Sequence, residues 1–130
     1  MAASREQVML RRLLLVEDQR HNIDELRDAF AEEGYECEVA LDFATARYIL
    51  HERMMDLAVV NSKLADVPDD SLIRELKSGN PAMVVVIYNG TATRARQRRL
   101  RRLGADSYLS KASDAGTIIR AVQKLTIRKA

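Results

Sequence analysis

One cysteine, no tryptophan and two prolines are found in this chain of 130 residues. A single thiol, Cys37, cannot form an internal disulfide, so the fold must rest on a packed core, and the setting reads as cytoplasmic. Cys37 lies in an apolar segment and reads as a small core residue. Long apolar runs are also missing, so nothing in the sequence is built to span a bilayer. The stretch from Met1 to Arg12 is polar and of mixed charge, without the apolar core of a signal peptide. Of the two histidines, neither His21 nor His51 has a partner at metal-ligand or triad spacing, and both read as surface residues. The glycines form no phosphate-cradling cluster, which argues against a nucleotide or flavin site. Low-complexity stretches, repeats and linkers are absent too. Residues 1–130 therefore read as one domain with a core over about residues 12–127.

What the chain does have is alternation. Five short runs rich in Val, Leu and Ile recur, at about Leu13–Glu17, Tyr35–Ala40, Leu57–Asn61, Met83–Tyr88 and Ser107–Leu109. Between them apolar residues return at helical spacing: Ile23, Leu26 and Phe30; Phe43, Ala46 and Leu50; Leu72, Ile73 and Leu76. The last helical segment carries Ala115, Ile118, Ile119, Val122 and Leu125. Gly34, Gly79 and Gly104 are read as helix stops, Asp42 as a cap and Pro68 as a helix opener. Alternating strands and helices imply right-handed crossovers and a parallel sheet covered on both faces. The first, third and fourth runs are continuously apolar, as buried central strands are, while the second alternates as an edge strand does. The expected fold is α/β, a doubly wound five-stranded parallel sheet of order 2-1-3-4-5.

Charge divides the chain. Residues 1–90 hold 10 Lys and Arg against 17 Asp and Glu, a balance of −7, whereas residues 91–130 hold 11 against 2, a balance of +9. Most of the basic excess sits between Thr91 and Leu103, where Arg94, Arg96, Arg98, Arg99, Arg101 and Arg102 fall on one helical segment. Ala92, Ala95, Leu100 and Leu103 are left to face the sheet. At about 100° per residue the arginines wrap most of the exposed circumference, at a small cost in mutual repulsion. Such a surface suits an acidic partner, either an acidic protein or the acidic part of a second copy of the chain in a homodimer. Nucleic acid is disfavoured, because no groove-reading motif or aromatic platform accompanies the charge. The alternative of a small nucleic-acid-binding protein rests on the arginine segment alone.

At the strand ends the polar residues gather. Glu17 and Asp18 follow the first run, Asn61 ends the third, and Gly104-Ala105-Asp106-Ser107-Tyr108-Leu109-Ser110-Lys111 brings a lysine to the end of the fifth. In a doubly wound sheet these carboxyl ends form the ligand crevice. From residue 12 onward the chain resembles the phosphoryl-acceptor receiver domain of bacterial response regulators. The likeness rests on strand count, spacing, the acidic pair and the Gly-Ala-Asp-x-Tyr-Leu-x-Lys segment.

The resemblance carries expectations, residue by residue. It implies that Glu17 and Asp18 match metal-binding acids, that Lys111 matches the cationic clamp and that the carbonyl of Lys63 matches a backbone metal ligand. Tyr108 matches a switch aromatic. Asn61 stands where the family has the aspartate that accepts a phosphoryl group, and its delocalised amide nitrogen is a poor nucleophile. Tyr88 stands where a Thr or Ser belongs, and Ala112 replaces a proline that follows the lysine, so a cis peptide is not expected there. Losing one of three charges leaves magnesium binding weak at best and Lys111 free to pair with Glu17 or Asp18. Tyr108 is read as a partner contact or a static packing residue. The implied function is a pseudo-receiver of a two-component pathway, not an enzyme, that works by protein contact through its fourth helix and the adjoining fifth strand and helix. Histidine-kinase pathway proteins are expected among its partners. The alternative is a conventional phosphoreceiver using Ser62 or Asp66 as a substitute acceptor.

Overall fold

The computed structural model describes residues 12–64, 69–110 and 114–129. Ten elements alternate along the chain: β1 (Arg12–Val16), α1 (Arg20–Glu32), β2 (Glu36–Ala40), α2 (Phe43–Glu52), β3 (Leu57–Asn61), α3 (Asp69–Gly79), β4 (Val84–Gly90), α4 (Arg94–Leu103), β5 (Ser107–Ser110) and α5 (Ala115–Lys129). The strands form one sheet of order β2-β1-β3-β4-β5, and every neighbouring pair is parallel. This is the expected doubly wound arrangement, with the alternating β2 at an edge.

Side-chain alternation along each strand builds two cores. Leu14, Val16, Ala58, Val60, Val85 and Ile87 point to the face covered by α2, α3 and α4. Leu13, Leu15, Leu57, Val59, Val84 and Val86 point to the other, where Leu26 and Phe30 of α1 meet Ile118 and Val122 of α5. Burying each such Val, Leu, Ile or Phe side chain contributes about 1.5–3 kcal/mol, and the central strands contribute from both faces. No helix among the described residues is long and apolar enough to cross a membrane.

Helix ends follow local chemistry. The Asp42 side chain accepts from the Thr45 amide at 2.8 Å, and Thr93 accepts from Arg96 N at 3.2 Å. Gly34 and Gly104 take the left-handed backbone that lets the chain leave a helix, with φ of 92° and 131°. Gly79 does not, since it is the last residue of α3 and its φ is not positive. Residue 68, expected to open α3, lies outside the described residues. Asn89-Gly90 reads from sequence as a turn beyond β4, yet both belong to the strand. The irregularity there is a register shift against β5, with Asn89 in the left-handed region at φ 59°.

Candidate functional site

Period-two alternation decides which polar groups meet. Glu17 shares the parity of Leu13 and Leu15, Asn61 that of Leu57 and Val59, and Tyr88 that of Val84 and Val86. Asn61 pairs in register with Tyr88, and Val16 with Val60. The ends of β1, β3 and β4 thus deliver all three side chains to the α1/α5 face of the sheet.

There they form one buried network around Glu17, which is fully buried. Its carboxylate accepts from the Asp18 and Gln19 amides at 3.0 and 2.9 Å. The Asn61 Nδ2 amide donates to both carboxylate oxygens, at 3.1 and 3.2 Å, and the Tyr88 hydroxyl donates to Oε1. Asn61 Oδ1 in turn accepts from the Lys63 amide at 2.9 Å and from Asn89 Nδ2 at 3.4 Å. No buried side-chain nitrogen or oxygen among the described residues lacks a hydrogen-bond partner. Burial, followed by the hydrogen bond to Glu17 and the charges of Glu17 and Asp18, pushes the Tyr88 phenol well above its ordinary value.

This donor set does not fit a magnesium ion. The ion asks for hard oxygen ligands in octahedral array, whereas the Glu17 oxygens are already engaged by amide and hydroxyl hydrogens. Asn61 presents its nitrogen, not its oxygen, to Glu17. Asp18 is exposed and accepts from Gln19 Nε2 at 3.3 Å. Among the described residues no three His, Cys, Asp or Glu side chains are grouped closely enough to hold a metal. Lys111, Ala112 and Asp66 lie outside the described residues. Ser62 follows Asn61 and donates its amide to the Tyr88 carbonyl at 2.8 Å.

Tyr108 is buried, with 5% of its surface exposed. Its hydroxyl accepts from the Ala92 amide at 3.0 Å, and its ring lies against Gly90, where any Cβ would overlap the ring. The sequence does not signal that clearance, because Asn89-Gly90 reads as a turn. Sequence reasoning also misses the inward reach of Tyr88, whose place at the end of an apolar strand is the available signal.

The arginine helix splits into two sets. Arg96 Nη2 and Arg99 Nε bind the Asp70 carboxylate of α3 at 2.6 and 2.9 Å. Those hydrogen bonds, Arg99 first, hold the Asp70 carboxyl below the usual carboxylate range. Arg94, Arg98, Arg101 and Arg102 are exposed and make no ion pair among the described residues. Leu100 is fully buried, and Ala92 and Leu103 pack against the core. Ala95 is exposed, contrary to expectation, while Gln97 is half-buried and donates Nε2 to the Ala92 carbonyl at 2.9 Å.

A sheet of order 2-1-3-4-5 with an acid and an amide gathered at the ends of β1 and β3 defines a doubly wound module of the receiver class. The family model described as the response regulator receiver domain matches residues 13–123, and the chain belongs to that family. It is therefore a receiver domain of the two-component response regulators, a signalling module. The chain is 29% identical over 112 residues to the photosynthetic apparatus regulatory protein RegA of Rhodobacter capsulatus, covering 86% of this chain and 61% of that protein. It is 30% identical over 119 residues to the virulence transcriptional regulatory protein PhoP of Salmonella typhimurium, covering 90% and 52%. The chain thus spans little more than half the length of these relatives. Among solved structures, a CheY-like receiver domain protein from Methanospirillum hungatei JF-1 matches with TM-score 0.82 at 22% identity, over 93% of this chain and 97% of that one. The beryllofluoride-activated NtrC4 receiver domain dimer matches with TM-score 0.80 at 21% identity, over 91% and 97%. At these identities the structural matches speak for the fold.

Proposed function

We propose that this receiver is a pseudo-receiver, a signalling module that works by protein contact and is not switched by phosphorylation of Asn61. One observation carries the reading: the acceptor position is a hydrogen-bond donor, and it donates to the acid beside it. Phosphoryl transfer needs a positioned nucleophile with cations on the equatorial oxygens. An amide nitrogen committed to Glu17 offers no attacking lone pair, and the Tyr88 phenol fills the space next to it. Asn61 and Tyr88 also suit each other. Both are neutral donors that satisfy a buried carboxylate, which a carboxylate at 61 could not do.

The contact surface we assign is the exposed side of α4 with the adjoining β5 and α5, facing an acidic protein or a second copy. Relatives named as regulatory proteins support a regulatory output, reached through a two-component pathway. The test is intact mass after incubation with magnesium and a small phosphodonor. The mass is expected to stay unchanged. A stoichiometric phosphoryl gain that hydroxylamine removes would overturn the reading in favour of an acyl phosphate, as on Asp66. A hydroxylamine-stable gain would overturn it in favour of Ser62.

A further inference from the structure

The four unpaired arginines of α4 form a stripe. At about 100° per residue Arg94, Arg98, Arg101 and Arg102 fall within about a third of the helix circumference, opposite Leu100, and extend along about 12 Å of its axis. On the other face of the sheet α1 carries a stripe of the same length and opposite sign. Asp24, Glu25, Asp28 and Glu32 are exposed and lie opposite the buried Ile23, Leu26 and Phe30. Asp24, Asp28 and Glu32 repeat every four residues, so they too extend over about 12 Å. Within α1 the first acids are partly answered, Asp24 by Arg20 at 3.7 Å and Glu25 by His21 at 3.9 Å. Asp28 and Glu32 make no ion pair among the described residues. Arg27 stands to one side of the stripe.

The two stripes cannot meet within one molecule, because α4 covers one face of the sheet and α1 the other. A symmetric contact of α4 with α4 brings arginine against arginine, and one of α1 with α1 brings acid against acid. A two-fold interface puts the same patch on both sides, so neither helix can be the centre of one. Because the two stripes lie on opposite faces of the sheet, a single two-fold contact does not bring both into play, and a head-to-tail arrangement pairs them.

We propose that the α4 stripe of one copy docks on the α1 stripe of the next, so that the receiver associates head to tail with itself. The inference rests on the reading of α4 as the contact surface and names its partner. A docked pair keeps one free stripe of each sign, so association continues past two copies unless it closes into a ring. Exposed ion pairs are individually weak, which makes the contact reversible and sensitive to salt.

Sedimentation equilibrium tests this on the whole chain. At about 0.01 M salt, where charges act over about 30 Å, the average mass is expected to rise with concentration beyond two copies. At about 1 M, where the range is about 3 Å, it returns to one. Arg94→Glu/Arg98→Glu/Arg101→Glu and Asp24→Arg/Asp28→Arg/Glu32→Arg, each alone, are expected to weaken association about tenfold or more. Mixed one to one they restore it, because each stripe again meets its opposite. Circular dichroism confirms that both variants are folded, and the rescue in the mixture does not depend on either variant alone.

A wild-type chain that stays monomeric at low salt overturns the proposal, as does association that stops at two copies and survives the α1 reversal. If only the α4 reversal abolishes association, the docking face on α1 is wrong while α4 stands as the contact surface. A phosphoryl gain in the mass experiment, by contrast, removes the pseudo-receiver reading and leaves this association untouched.

Discussion

At the scale of the residue, Glu17, Asn61 and Tyr88 form a closed hydrogen-bond set, and each member can be removed on paper. Asn61→Asp replaces a donor held 3.1 Å from Glu17 by a second carboxylate. Two acids sharing a buried site raise each other's pKa, so the folded value lies above the unfolded one near 4. The penalty is then absent below about pH 4 and grows as pH rises, reaching about 2–4 kcal/mol at neutral pH. Urea midpoints at pH 4 and pH 7 measure it. Tyr88→Phe removes one donor at the cost of about 1–3 kcal/mol and also changes the alkaline limb. The folded phenol is held above its ordinary value. Its stability contribution is therefore complete below about pH 10, where both states are protonated, and is lost above that as only the unfolded chain ionises. Burial pushes the Cys37 thiol to about 11 from 9.0, which produces a similar fall that begins lower. In a Cys37→Ser background, denaturation from pH 9 to 12 should therefore show a slope that Tyr88→Phe removes.

At the scale of the element, β4 and β5 are locked by a ring against a bare backbone. Gly90 leaves the space that the Tyr108 ring occupies, and the Tyr108 hydroxyl ties down the amide of Ala92 ahead of α4. Gly90→Ala must move the ring or the strand, at a cost of about 1–3 kcal/mol for an overpacked site. Expulsion of the ring should make Tyr108 accessible to iodination and lose amide protection at Ala92, both readable by mass spectrometry and hydrogen exchange. Unchanged protection with full stability would show the strand end yielding instead. A comparable tie joins α3 to the residue ahead of β5: Lys77 Nζ donates to Asp106 Oδ2 at 3.4 Å and to the Met83 carbonyl at 2.6 Å, and Asp106 Oδ2 also accepts from the Val85 amide of β4 at 2.8 Å. The sheet edge next to α4 is thus held by polar contacts, and Arg94, Arg98, Arg101 and Arg102 face outward without an ion pair among the described residues.

At the scale of the whole molecule, ligand linkage separates a receiver that uses magnesium from one that does not. A ligand that binds only the folded state raises stability by RT ln(1 + [L]/Kd). With Glu17 engaged by protein donors, about 10 mM magnesium should leave the wild-type melting temperature where it is, relative to an equal ionic strength of sodium. The same addition should raise that of Asn61→Asp, because the ion neutralises the two acids that repel each other. Calorimetric scans with and without chelator measure both. A wild-type increase of several degrees would mean that the hydrogen-bond set opens readily to admit the ion.

Much of this was legible in the sequence because it is local. Apolar runs of period two and stripes of period near 3.6 dictate the alternation of strands and helices, and short connections leave the sheet order little choice. The acid pair, the amide at the end of β3 and the arginine run are likewise readable as residues in a row. What the sequence left open depends on contacts between residues far apart in the chain. Asn61 meets Glu17 across 44 positions, and Tyr88 reaches it across 71. Those meetings follow from strand register and side-chain parity, which exist only once the sheet is paired. From sequence Tyr88 was a misfit for its position, whereas in the fold it is a donor. Six arginines looked alike until Asp70, on another helix, took two of them. Sequence determined which groups this receiver possesses. Tertiary structure decided which of them are consumed inside the molecule and which are left facing out, because a charge or a donor is spent only when packing brings a partner within about 3 Å.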